Sequence, residues 1–199
     1  MKRAGLAACL LLLLVAGLAW QVMTGGVLVG WDLRLTHWFA SHRQGWLTPA
    51  MLAVSEVHRT LGVLATTAAV GAWLLWRQRR REALALLVIP AAMLFNVGMK
   101  NVFQRLRPAL DEPLVHLATF SFPSGHAVAS TVFYGTLCGI ALAHLRSRGA
   151  RAAAIAAAVA MVLLVTFSRV YLGAHYLTDV LAGVAMGAAW LLLARRALS

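Results

Sequence analysis

The sequence predicts an all-α integral membrane protein of six transmembrane helices, with short motif loops on one face and an amphipathic helix lying at the interface. Three observations predict it. Of 199 residues, 61% are hydrophobic and 12% charged, and a soluble domain carries about 25% charged residues. The apolar residues fall into six runs near the roughly 20 residues that a bilayer-spanning helix needs. The basic residues cluster in short caps between those runs, at Lys2-Arg3, Arg77 to Arg81, Arg146 to Arg151, and Arg195-Arg196.

The first span runs over residues 4–23. A basic start before an apolar run also resembles a signal peptide, but no A-x-A-like site with a polar flank follows and the run reaches spanning length, so a retained helix is expected. The second span covers 61–76, with a possible earlier start near Leu52. The third covers 83–102, the fourth 126–145, the fifth 152–167 and the sixth 177–194. One domain over 1–199 is expected, since neither linker, low-complexity tract nor internal repeat interrupts the chain.

Every basic cap precedes span one or follows span two, four or six. Under the positive-inside rule both termini are therefore expected in the cytoplasm. Residues 25–58 then lie outside. Within them Trp31-Asp32-Leu33-Arg34-Leu35-Thr36-His37-Trp38-Phe39 suits a helix at headgroup level, as an anchor or as a wall of a lipid entry gate. Asp32 and Glu56 are expected to be solvated or paired rather than catalytic.

The net charge is +12 with pI ≈ 11.5. Nucleic acid is excluded as a partner, because the cations form interhelical caps and not a stripe interleaved with aromatics. Cys9 and Cys138 sit in apolar runs without paired spacing, so neither a disulfide framework nor a metal site follows.

Three polar clusters break the apolar pattern. Lys100 and Arg107-Pro108 form K-x6-R-P. Pro108 disfavours helix at Arg107, so the chain is expected to bend there and aim both cations at one anion. Arg105 falls inside this cluster and receives no role. Pro123-Ser124-Gly125-His126 opens span four. Ser124 suits an N-cap, Gly125 lets backbone approach a ligand, and the helix start favours phosphate. His126 is then placed to reach a leaving oxygen.

The third cluster, Ser168-Arg169 through His175 to Asp179, is S-R-x5-H-x3-D. His175 and Asp179 are expected on one helix face, so Asp179 can accept one ring N–H and leave the other nitrogen free to attack. A carboxylate near the start of an apolar span is costly without such work. By the same topology all three clusters meet on the extracytoplasmic face. Cations, two histidines and a carboxylate at one place form a site for phosphoryl transfer.

These motifs resemble the signature of the type 2 phosphatidic acid phosphatase (PAP2) superfamily, the lipid phosphate phosphatases, at every motif position over residues 100–179. The resemblance implies a metal-independent hydrolase without a cofactor that works through a phosphohistidine. It assigns His175 as nucleophile, Asp179 as its orienting group and His126 as proton donor. It gives Lys100, Arg107 and Arg169 to the phosphoryl oxygens, with Ser124 and Gly125 donating hydrogen bonds. Vanadium haloperoxidases share the motifs but are soluble, and this hydropathy argues against them.

The resemblance to short bacterial members puts undecaprenyl diphosphate first as substrate, at the outer face of a bacterial cytoplasmic membrane. The motifs read phosphate and not the tail, so phosphatidylglycerophosphate and phosphatidate compete. The alternative of another class is a transporter or lipid-binding protein without chemistry. It would need polar groups near the bilayer midplane. Asn96 is the main candidate, and a helix-packing role suits it better.

Overall fold

The computed structural model describes residues 2–197, and the side chains of 4–194. The described residues form helices and connecting segments, without a strand: α1 (Lys2–Met23), α2 (Val27–Ser41), α3 (Leu47–Val57), α4 (Thr60–Trp76), α5 (Arg80–Ala85), α6 (Val88–Phe103), α7 (Gly125–His144), α8 (Arg148–Tyr171) and α9 (Leu177–Ala197). Five stretches are long and apolar enough to cross a membrane: Ala4–Met23, Arg80–Phe103, Gly125–His144, Arg148–Tyr171 and Leu177–Ala194. A sixth exists if α3 and α4 together count as one broken span, bent by 53°.

The early start near Leu52 considered for the second span is met only across that break. α3 and α4 are separate helices that meet at His58 and Arg59. Gly62 permits the elbow, because a Cβ there would lie 2.3 Å from the carbonyl oxygen of Val57. His58 pins it: Nδ1 pairs with Val54 O at 2.7 Å and Nε2 with the Tyr134 hydroxyl of α7 at 2.6 Å.

α7 lies at the centre, against α4, α6, α8 and α9, and α9 also packs along α1. Val128, Ala129 and Val132 of α7 meet Leu74, Ile89, Ala92, Ala185 and Met186 in the main apolar cluster. Small residues let α7 and α9 approach closely, as helices in lipid commonly do. A Cβ on Gly183 would lie 2.7 Å from both Ala127 Cβ and Ser124 O. Leu13, Leu61, Leu94, Val102 and Leu163 are exposed on the outer surface, as side chains facing hydrocarbon must be.

The bundle has two chemically different ends. At one, Glu82 accepts from His144 at 2.8 Å and lies 3.7 Å from Arg79, and Arg151 donates to Leu142 O at 2.6 Å. The caps at 77–81 and 146–151 therefore share that end. The side chains of Lys2, Arg3, Arg195 and Arg196 lie outside those described. At the other end stand the C-terminal ends of α6 and α8, the starts of α7 and α9, and the irregular segment 104–124.

Candidate active site

α6 ends at Phe103, and Gln104 follows with φ +46. The chain turns there, three residues before Arg107, which corrects the expected bend at the Arg107-Pro108 junction. Lys100 stays on the last turn of α6 and donates to Phe120 O and, at 3.5 Å, to Ser121 O. Arg107 comes back on the loop. It donates to Thr119 O at 2.6 Å, to Ala174 O at 2.7 Å and to Thr119 Oγ1 at 2.9 Å.

Arg107 Nη1 also lies 3.2 Å from His175 Nε2. A guanidinium has only donors, so Nε2 faces it with its lone pair and the ring proton sits on Nδ1. Nδ1 faces Asp179 Oδ2 at 3.5 Å and Ser121 Oγ at 3.3 Å. The free lone pair thus points at the cations while the other nitrogen points at the carboxylate. Burial pushes the His175 imidazole down to about 3, against the pull of Asp179, and Arg107 and Lys100 push the same way. Burial also lowers Arg107 from its ordinary value, with Asp179 opposing.

His175 and Asp179 do not share a helix face as expected. His175 lies in the turn before α9, and Asp179 lies in that helix's first turn. Asp179 Oδ2 accepts the backbone N–H of Tyr176 at 2.9 Å, the reach-back contact of a capping box. One carboxylate oxygen therefore both starts α9 and holds the histidine. Ser121 Oγ donates to the same oxygen at 2.5 Å.

Ser124 stands at the N-cap of α7, as expected, but its side chain makes no cap hydrogen bond. Its Oγ is buried without a partner among the described residues. Its backbone N–H donates to Asp179 O at 3.0 Å, which ties the starts of α7 and α9 together. Asn96 Nδ2 steadies the same loop through Pro123 O at 3.4 Å. Gly125 faces Lys100: an added Cβ would stand 3.8 Å from Lys100 Cε.

Arg169, on the last turn of α8, is 1% exposed. Its Nη1 donates to Ser55 Oγ, and its Nε is buried without a partner among the described residues. His126 Nε2 lies 3.3 Å from Ser55 O. One residue of α3 thus engages both His126 and Arg169, so all eight residues singled out in the motifs gather around one place.

Ser55, Ser121 and Arg105 were not anticipated. Ser121 had a local signal, since it stands two residues before Pro123. Ser55 had none. Arg105, left without a role by the sequence, is buried between Asp32 and Asp179 at 2.9 and 2.5 Å. Asp32 is paired, as expected, and Glu56 pairs with Arg59 at 2.7 Å on the surface. Among the described residues, no three of His, Cys, Asp and Glu gather in a cluster that could hold a metal.

The PAP2 superfamily model matches residues 81–199. A phosphatidylglycerophosphatase B of Bacillus subtilis (strain 168) is 35% identical over 148 residues, 73% of this chain and 72% of that protein. The chain belongs to the PAP2 superfamily.

It is a PAP2 phosphatase, a hydrolase of phosphate esters, and a membrane protein. A decaprenylphosphoryl-5-phosphoribose phosphatase of Mycobacterium tuberculosis is 32% identical over 159 residues, 77% of this chain and 71% of that one. The crystal structure of a transmembrane PAP2 type phosphatidylglycerolphosphate phosphatase from Bacillus subtilis superposes with a TM-score of 0.85 at 28% identity, covering 98% of this chain and 96% of that one. Aquifex aeolicus LpxE shares the fold, with a TM-score of 0.63 at 18% identity over 82% of this chain and 94% of that one.

Proposed function

We propose that this PAP2 phosphatase removes the terminal phosphate of a membrane lipid through a phosphohistidine on His175, and that phosphatidylglycerophosphate is its substrate. The observation that carries the chemistry is the two-sided setting of His175, with Nε2 at the cations and Nδ1 at Asp179. In the first step the Nε2 lone pair forms a bond to phosphorus and the bond to the leaving oxygen breaks. His126 gives that oxygen a proton. Water then attacks phosphorus, His126 takes its proton, and the P–N bond breaks to release inorganic phosphate. Lys100, Arg107 and Arg169 stabilise the charge that gathers on the phosphoryl oxygens. Ser124 Oγ and Gly125 N–H complete the cradle at the start of α7. These cations, not a bound metal, supply the positive charge.

The sequence match and the structural match in Bacillus subtilis, both named for phosphatidylglycerophosphate, favour that substrate over the undecaprenyl diphosphate that the sequence put first. The polyprenyl reading stands second, favoured by the decaprenyl relative. We take the chain as one domain over 1–199 with six spans, α3 and α4 forming the second, and α2 as the interfacial helix. Its site faces outward from a bacterial cytoplasmic membrane, with both termini inside.

The test is phosphate release by the purified protein in chelator, from a panel of phosphatidylglycerophosphate, phosphatidate and undecaprenyl diphosphate in one detergent. Alkali-quenched trapping, which spares a P–N bond, should show labelled phosphoenzyme from an activated aryl phosphate in His126→Ala and not in His175→Ala. The reverse pattern would exchange the two roles, and no release from any of the three lipids would overturn the proposed substrate class.

A further inference from the structure

Asp179 has two carboxylate oxygens, and only Oδ2 serves His175. Oδ1 points away and accepts Arg105 Nη1 at 2.5 Å. The Arg105 side chain is 9% exposed, and its other contacts are as close. Nη2 donates to Asp32 Oδ2 at 2.9 Å, and Nη1 is shared with Thr178 Oγ1 at 2.8 Å. The Tyr176 ring lies 4.1 Å from its guanidinium carbon. Asp32 is itself fixed, since Thr178 donates to it through its hydroxyl and, at 3.0 Å, through its backbone N–H.

A guanidinium is planar and rigid. With Asp32 and the Tyr176 ring holding it, the direction of Nη1 towards Asp179 is set. A carboxylate held at both oxygens cannot rotate about its Cβ–Cγ bond, so Oδ2 stays aimed at Nδ1. Stability alone is a weak reason for such a cluster, because desolvation offsets much of the attraction of buried ion pairs.

We propose that Arg105, clamped between Asp32 and Asp179, is a positioning residue for phosphoryl transfer: it fixes the carboxylate that orients His175. Asp32 of α2 is the far anchor of the clamp, so this helix contributes to the reaction without touching substrate. The inference rests on reading His175 as a nucleophile oriented by Asp179.

The experiment measures kcat and KM of the full chain in detergent, with the lipid phosphate that the panel shows to be turned over fastest. The variants are Arg105→Gln, Arg105→Lys, Asp32→Asn, Asp179→Asn and the Arg105→Gln/Asp179→Asn pair. Groups that orient metal-ligating histidines typically act by about 10- to 100-fold. Arg105→Gln should lower kcat in that range with KM unchanged, and Arg105→Lys should restore part of it. The paired variant should be no slower than Asp179→Asn alone, because Arg105 acts through that carboxylate.

Losses that multiply in the pair, or a raised KM at unchanged kcat, overturn the proposal. If Arg105→Gln does not fold, Arg105→Lys and Asp32→Asn carry the test, and wild-type kcat in both overturns it. A slow Asp179→Asn beside wild-type Arg105 variants sinks only the positioning role. Wild-type kcat in Asp179→Asn sinks the underlying assignment of His175 and Asp179, and this inference with it.

Discussion

His175 concentrates the chemistry of this site in one ring. It is 2% exposed, yet a carboxylate faces one nitrogen and a guanidinium the other. Burial outweighs the carboxylate and holds the ring neutral down to about 3, against an ordinary 6.5. A neutral ring keeps its attacking lone pair at every physiological pH. The same depression is a stability statement. Between the two values the unfolded chain binds a proton at this ring and the folded chain does not. This contribution is therefore fully present above 6.5 and is lost as pH falls from there towards 3. Melting in detergent, followed from about pH 7.5 to about pH 4.5, should show the midpoint falling towards acid. His175→Asn should flatten that slope. An unchanged slope would mean that the ring is not buried neutral.

At the scale of elements, α3 stands apart because it joins the site from a segment remote in sequence. Ser55 reaches Arg169 across 114 residues. It accepts from Arg169 through Oγ and faces His126 through its carbonyl oxygen. Arg169 Nη1 has a second N–H and Nε is without a partner among the described residues, so Arg169 can hold a phosphoryl oxygen while Ser55 keeps it in place. Ser55→Ala removes that hold and should loosen inhibition by vanadate, an analogue of the transferred phosphoryl group, by roughly fivefold, the worth of one hydrogen bond of about 1 kcal/mol. Unchanged inhibition would mean that Ser55 does not position Arg169. This element also shows which information the sequence carried. K-x6-R-P, P-S-G-H and S-R-x5-H-x3-D are local spacings, so Lys100, Arg107, Ser124, Gly125, His126, Arg169, His175 and Asp179 could be found along the chain. Contacts between distant elements leave no such spacing, which hid Ser55. Arg105 did leave a trace in charge balance. The chain has only six acidic residues, and a buried acid such as Asp32 or Asp179 demands a cation. Arg105 was the cation beside the motifs with no other task.

At the scale of the whole molecule, the phosphoryl site and the basic caps at 77–81 and 146–151 occupy opposite ends. The all-helical membrane class was legible because hydropathy follows from the bilayer. The elbow at His58 and Arg59 was not, because it depends on Gly62 making room for a carbonyl and on Tyr134 holding an imidazole. The two-ended arrangement predicts orientation without any reference to function. Arg77, Arg79, Arg80 and Arg81 share their end with the cap at 146–151, and the positive-inside rule expects such an excess of cations on the cytoplasmic side. Glu112 lies in the segment between α6 and α7 at the far end, where its carbonyl accepts from Arg43 at 3.0 Å. Glu112 and Gln78 are both exposed. After Cys9 and Cys138 are replaced by alanine, a thiol placed by Glu112→Cys should react in intact cells with an impermeant reagent. One placed by Gln78→Cys should react only after the membrane is opened. The order matters for mechanism, because a site at the outer face releases its inorganic phosphate away from the cytoplasm. Labelling at position 78 and not at 112 in intact cells would invert the topology and place the phosphoryl site on the inner leaflet, leaving its local geometry untouched.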